Sequence, residues 1–182
     1  MTKYIGALSR MQVGTQKPER YAAIAVLSGP EPQRTYFENA IINQAGQING
    51  RLLIVQGKPA FQPTSNSTIH QKNVDIVASM TSATLNNAIL ESGVFIGRSG
   101  YSTIMDLARV GKPALLIPTP GQAEQEYLAE KFAKENIFFT QTQDAMILSE
   151  GIREARTRPG IQSSFFDEKA LENAIEDFLK YC

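Results

Sequence analysis

One cysteine, Cys182, stands in a chain of 182 residues. It has no partner for an internal disulfide and no companion thiolates for a metal cluster. The sole histidine, His70, lies in a polar stretch with no evident acid or nucleophile beside it, so it makes a poor catalytic base. Net charge is also missing: 18 Lys+Arg balance 18 Asp+Glu. A nucleic-acid binder usually carries a basic excess, and this chain carries none. No run approaches the ~18 consecutive apolar residues of a membrane span. The opening MTKYIGALSR has no apolar core of a secretion signal. The GxGxxG fingerprint, the P-loop, the GxSxG elbow and metal-ligand spacings are all absent. The expected setting is a reducing cytoplasm, with no bound metal.

What is present is enough for a core: 42% hydrophobic and 20% charged residues fit one ordered domain. Residues 1–20 are polar and irregular and read as a linker segment; 21–182 read as the domain. From Tyr21 to about Gln141, short apolar runs alternate with segments of helical period. The runs are Tyr21–Ser28, Arg51–Gln56, Val74–Ser79, Val94–Gly97, Ala114–Ile117 and Ile137–Thr140. Most are continuously apolar, as in strands covered on both faces, which predicts a parallel sheet. Between them fall helical stripes: Phe37, Ala40, Ile41 and Ala45; Leu85, Ala88 and Ile89; Ile104, Leu107 and Ala108; Tyr127, Leu128, Phe132 and Ala133. A further helix follows Asp144, read as its N-cap. A last one, near Asp167–Lys180, carries Leu171, Ala174, Ile175 and Phe178 on one side. The alternation predicts a Rossmann-like, doubly wound α/β sheet of about six parallel strands. Lys58–Lys72 is its longest loop, and Arg153, Arg156 and Arg158 read as a solvated face.

Such a sheet binds ligands beyond the carboxyl ends of its strands, and three loops there are unusual. In Ser28-Gly29-Pro30-Glu31-Pro32-Gln33-Arg34, the small pair allows close approach to the backbone, and Arg34 falls in a first helical turn. Arg34 either pairs with phosphate or is solvated beside a tight turn. In Arg98-Ser99-Gly100-Tyr101-Ser102-Thr103, a strand gives way to a helix near Tyr101. The free N–H groups of Gly100, Tyr101, Ser102 and Thr103 then face outward, with two hydroxyls beside them, as an anion site suited to phosphate. Asp106 shares the face of Ser102 and Thr103, one turn on, where a carboxylate can accept from a ribose diol. The plainer alternative is that Ser99 or Ser102 caps the helix and Asp106 favours its dipole. In the third loop, Pro118 to Tyr127, Gln122, Glu124, Gln125 and Glu126 crowd a helix start. Amides and carboxylates suit sugar hydroxyls; an acidic helix start explains the two Glu but not the two Gln.

The three loops in this order resemble the C-terminal, nucleotide-sugar-binding domain of GT-B glycosyltransferases. The stretch VFIGRSGYSTIMDLARVGKPALLIPTPGQAEQEYLAEKF, Val94 to Phe132, is similar to family 28, the family of the bacterial peptidoglycan N-acetylglucosaminyltransferase MurG. The resemblance covers about Tyr21 to Asn136 and implies one half of a GT-B fold. It implies a UDP-sugar as donor substrate, no cofactor, and inverting transfer of a hexosyl or N-acetylhexosaminyl group without metal. Ser99, Gly100, Tyr101, Ser102 and Thr103, with Gly29 and Arg34, would hold the diphosphate. Asp106 would take the ribose, where the peptidoglycan enzymes have Glu, and the backbone near Met80 and Thr81 would meet the uracil. Gln122, Gln125 and Glu126 would read the sugar; Gly121 stands where those enzymes carry His. The catalytic base and a lipid-linked acceptor would belong to an N-terminal domain or partner subunit, with Tyr4–Arg10 resembling the linker from it. That half would place the enzyme at the inner membrane, peripherally. A UDP-sugar hydrolase and a non-catalytic nucleotide-sugar-binding subunit are the competing expectations.

Overall fold

The computed structural model of the chain describes residues 8–15, 17–58, 69–71, 73–162 and 170–180. Its elements are β1 (Tyr21–Val26), α1 (Gln33–Gln44), β2 (Leu52–Val55), β3 (Ile69–Gln71), β4 (Val74–Val77), α2 (Ser82–Leu90), β5 (Ser92–Gly97), α3 (Tyr101–Val110), β6 (Ala114–Leu116), α4 (Ala123–Lys134), β7 (Phe139–Thr140), α5 (Leu148–Ala155) and α6 (Ala170–Leu179). The sheet runs β3-β4-β2-β1-β5-β6-β7. β3 pairs antiparallel with β4 at one edge; the other neighbours pair in parallel. Setting β3 aside, the parallel strands follow the doubly wound order, whose direction of winding reverses between β1 and β5. The Rossmann-like expectation holds, with an antiparallel edge added.

Strand parity explains the two layers. Successive strand residues point to opposite faces, and here both faces are apolar. Ala23, Ala25, Leu52, Ile54, Val94, Ile96 and Leu115 meet Phe37 and Ile41 of α1 and Leu148 and Ile152 of α5. Ile24, Leu53, Val55, Phe95 and Leu116 meet Leu85 and Ile89 of α2 and Ile104 and Leu107 of α3. Helices α1 and α3 therefore leave the ends of neighbouring strands β1 and β5 toward opposite faces. A crevice opens where they part.

Several local expectations change. The buried side of α4 runs through Leu128, Ala129 and Phe132, while Tyr127 is 63% exposed; it stands on the flank of the stripe. Asp144 does not cap α5, which starts at Leu148 with no side-chain cap of its own. Its first amides are met from elsewhere: Leu148 N–H donates to Gln44 Oε1 at 2.9 Å and Ile147 N–H to Gln141 Oε1 at 3.3 Å. Part of the long loop, Ile69–Gln71, is the edge strand β3; 59–68 and 72 lie outside the described residues, as do 163–169, where the start of the last helix was expected. Within the basic run, Arg156 holds Glu19 with two hydrogen bonds of 3.1 and 2.9 Å and donates to Ala22 O. No helix among the described residues is long and apolar enough to cross a membrane.

The Glu19–Arg156 pair ties the segment before β1 to the end of α5 and predicts a pH dependence. The hydrogen bond from Arg156 holds the Glu19 carboxyl below its ordinary value of 4.5, against a smaller opposing effect of burial. A lowered carboxyl contributes stability above its unfolded value, and that contribution disappears as pH falls through the folded one. Urea midpoints of the parent should therefore fall more steeply below about pH 4.5 than those of Glu19→Gln. Parallel acid limbs in the two proteins would remove Glu19 from the balance.

Candidate functional site

The crevice between the ends of β1 and β5 is a cleft of about 380 Å³. Its floor and walls include Ser28 and Gly29 after β1, Arg98 after β5, the N-terminal half of α3, and Glu124 and Gln125 of α4. Apolar walls come from Leu85 and Ile89 of α2 and Leu107 and Val110 of α3. Most of the three loops marked in the sequence thus meet at one place.

Helix α3 begins at Tyr101, its N-cap is Gly100, and no side chain caps it. Ser99, fully buried, instead donates from Oγ to Gln125 O at 2.7 Å. The capping alternative therefore fails for Ser99, and the first-turn amides of α3 have no intrahelical partners. Gly100, Tyr101, Ser102, Thr103 and Asp106 all line the cleft. The far end of α3 closes normally on Gly111, left-handed at φ 67°.

Asp106 is already engaged. Ser9 Oγ donates to its Oδ1 at 2.6 Å, and Arg10 Nε stands 3.8 Å from its Oδ2. Ser9 also accepts from Met11 N–H at 2.9 Å, and Met11 is buried in the core beneath α2 and α3. The segment read as irregular linker therefore forms one wall of the cleft, with Arg10 and Met11 in its lining. No periodic pattern marks a single anchored strap, so sequence reasoning passed over it; residues 1–7 are outside the described set.

Gln125 is oriented by its neighbours. Its Oε1 accepts from Thr119 N–H at 2.8 Å, and its Nε2 donates to Gln122 Oε1. A Cβ at Gly100 would stand 3.9 Å from that Nε2. With the oxygen committed to Thr119, Gln125 presents a donor toward the start of α3. Glu126 lies on the other side: it accepts from Gly121 N–H at 2.9 Å and lines a separate groove of about 520 Å³ along α4. Gln122 is the N-cap residue of α4 and reaches the cleft only through Gln125.

The remaining predicted residues stand apart from the cleft lining. Arg34 donates to Gln56 O at 2.9 Å and pairs with Glu31. Thr81 caps α2, its Oγ1 accepting from Thr84 N–H at 3.2 Å. Met80 packs against the core on that face. Arg98, by contrast, had no role in the sequence reading and lies at the centre: 1% exposed, with its guanidinium 4.3 Å from the Phe37 ring centroid. A charged residue directly after a continuously apolar strand was the available signal. Burial pulls its pKa down to about 10, so it stays charged at neutral pH.

The sequence profile of the glycosyltransferase family 28 C-terminal domain matches residues 23–174. A UDP-N-acetylglucosamine--N-acetylmuramyl-(pentapeptide) pyrophosphoryl-undecaprenol N-acetylglucosamine transferase from Chelativorans sp. is 30% identical over 89 residues, 48% of this chain and 24% of that enzyme. Among solved structures, the kitacinnamycin glycotransferase superposes with a TM-score of 0.63 at 17% identity, over 98% of this chain and 48% of its own. Acinetobacter baumannii MurG superposes with a TM-score of 0.61 at 16% identity, over 90% of this chain and 52% of its own. At these identities the superpositions show the fold, and the chain spans about half the length of either structure.

Proposed function

This chain belongs to the glycosyltransferase family 28 C-terminal domain family, and from that premise we propose that its cleft holds the nucleoside-diphosphate end of a UDP-sugar as the donor half of a glycosyltransferase. One observation carries the reading: the uncapped start of α3 opens into the cleft with Asp106 one turn deeper on the same lining. Amides at a helix start suit phosphate, and a carboxylate suits a vicinal diol. The diphosphate rests on Gly100, Tyr101, Ser102 and Thr103, close to Gly29, and Asp106 takes the ribose. The uracil lies along the apolar wall of Leu85 and Ile89 and reaches past it to the backbone near Met80 and Thr81, just outside the cleft lining. Gln125 donates to an oxygen of the sugar or of its phosphate, Gln122 orients it, and Glu126 holds the Gly121 turn.

Chemically, inverting transfer of a hexosyl or N-acetylhexosaminyl group breaks the anomeric C–O bond and leaves negative charge on UDP. Fixed amides at α3 stabilise that charge without reorganisation, and this is the share of the mechanism we assign to the chain, metal-free. The base and the lipid-linked acceptor site are assigned to the half of the structural relatives that this chain does not span, through which the enzyme would sit peripherally at a membrane. Calorimetry with UDP and UDP-sugars tests the reading directly; an absence of heat with any uridine ligand would end it. Thr103→Val, which removes one hydroxyl beside the diphosphate, should weaken UDP binding about three- to tenfold, the worth of a typical hydrogen bond of ~0.5–1.5 kcal/mol. Uridine, which lacks phosphate, should bind both proteins alike.

A further inference from the structure

We propose that Arg98 is a positioning residue, a buried guanidinium whose fork ties four sheet-end loops together and so fixes the start of α3 at the cleft. Its Nη1 donates to Ile117 O and Pro118 O, each at 3.2 Å, where β6 runs on toward α4. Its Nη2 donates to Gln33 O at 3.0 Å, at the start of α1, and to Gln143 Oε1 at 2.6 Å, between β7 and α5. Gln143 in turn donates to Gln33 Oε1 at 3.0 Å. The residue itself belongs to the turn between β5 and α3. One side chain therefore joins the loops after β1, β5, β6 and β7.

The partners are neutral oxygens and the Phe37 ring. Burial of a charge on such terms is costly, and an apolar side chain of similar volume would fill the space with less penalty. The planar fork has a use that volume does not explain: it addresses two pairs of acceptors at fixed angles, which a lysine ammonium cannot do. Among the described residues, its Nε is buried with no acceptor, so hydrogen bonding is concentrated in the two terminal nitrogens. The next residue, Ser99, is clamped to Gln125 O, and the one after is the N-cap Gly100. The path into α3 is thus held toward α1 by Arg98 and toward α4 by Ser99. If the amides of α3 bind diphosphate, as proposed above and on which this inference rests, their placement depends on this pin.

Arg98→Lys keeps charge and most of the volume while losing the fork. We expect it to fold, to bind UDP about five- to tenfold more weakly, and to bind uridine within twofold of the parent. Amide hydrogen exchange should quicken at 33–35, at Ile117 and Thr119, which flank Pro118, and at 142–144. Gln143→Ala, which removes one acceptor from a half-buried position, should show a milder form of the same pattern. A merely structural residue would lower the melting temperature and weaken both ligands by one factor; that result, or unchanged UDP affinity and exchange, overturns the proposal. If Arg98→Lys does not fold, the ligand and exchange pattern of Gln143→Ala decides alone. If the parent binds neither UDP nor uridine, the donor-site reading fails and exchange decides the pin: faster in all three loops supports it, unchanged overturns it.

Discussion

Asp106→Ala will lower the affinity for UDP about 10- to 100-fold and leave the affinity for 2′,3′-dideoxy-UDP unchanged. The magnitude follows from the loss of an ionised acceptor: hydrogen bonds to charged groups contribute about 1.5–3 kcal/mol each, and 1.4 kcal/mol is about tenfold in Kd. The dideoxy ligand removes the same contact from the other side, so the two deletions together should cost no more than either one. The free chain adds a complication with a use. Ser9 Oγ already donates to Asp106 at 2.6 Å, and a ribose hydroxyl must either displace it or use another lone pair of the carboxylate. Ser9→Ala frees the carboxylate, so its UDP affinity should stay level or rise a few-fold. Should Ser9→Ala instead weaken UDP as much as Asp106→Ala, the carboxylate's work would be to anchor the strap of residues 8–12, and the ribose assignment would fall. Loss of the Ser9 contact costs about 1 kcal/mol at a partly exposed site, so Asp106→Ala should remain folded for the measurement.

The legible part of this site is the part written in local spacing. The start of α3 at Tyr101, its end at Gly111 and the shared face of Thr103 and Asp106 follow from 3.6-residue periodicity and glycine chemistry, and the structure bears out those helix limits. The sheet was legible because both of its faces are buried, which makes strands read as continuous apolar runs. What stayed hidden depends on distance in the chain. Gln44 serves the first turn of α5 from 104 residues away, Ser9 meets Asp106 across 97 residues, and Gln33 meets Gln143 across 110. No window of sequence contains both partners of such a contact. Arg34 shows the converse: a cation in a promising first turn that the fold turns toward Gln56 and Glu31.

Gly57→Ala will destabilise the fold by about 2–5 kcal/mol, lowering the urea midpoint by at least ~0.7 M at a slope of ~1–3 kcal/mol/M. Two costs combine. Gly57 sits at φ +66°, where an L side chain is strained by about 1–2 kcal/mol. A Cβ there would also stand 2.5 Å from Leu27 O, a backbone atom with little freedom to withdraw; overpacking of this kind costs about 1–3 kcal/mol. Gly121→Ala separates the two, because Gly121 has φ +79° and nothing within 4 Å of its Cβ position; it should show the strain alone. Equal losses in the two variants would refute the clash. The clash also has a direction. Leu27 directly precedes Ser28 and Gly29 of the cleft lining, so the backbone that yields is continuous with the backbone facing the ligand. Under conditions where Gly57→Ala remains folded, its UDP affinity should fall below that of Gly121→Ala at matched stability, since the substitution strains the β1 loop and the second variant does not touch it.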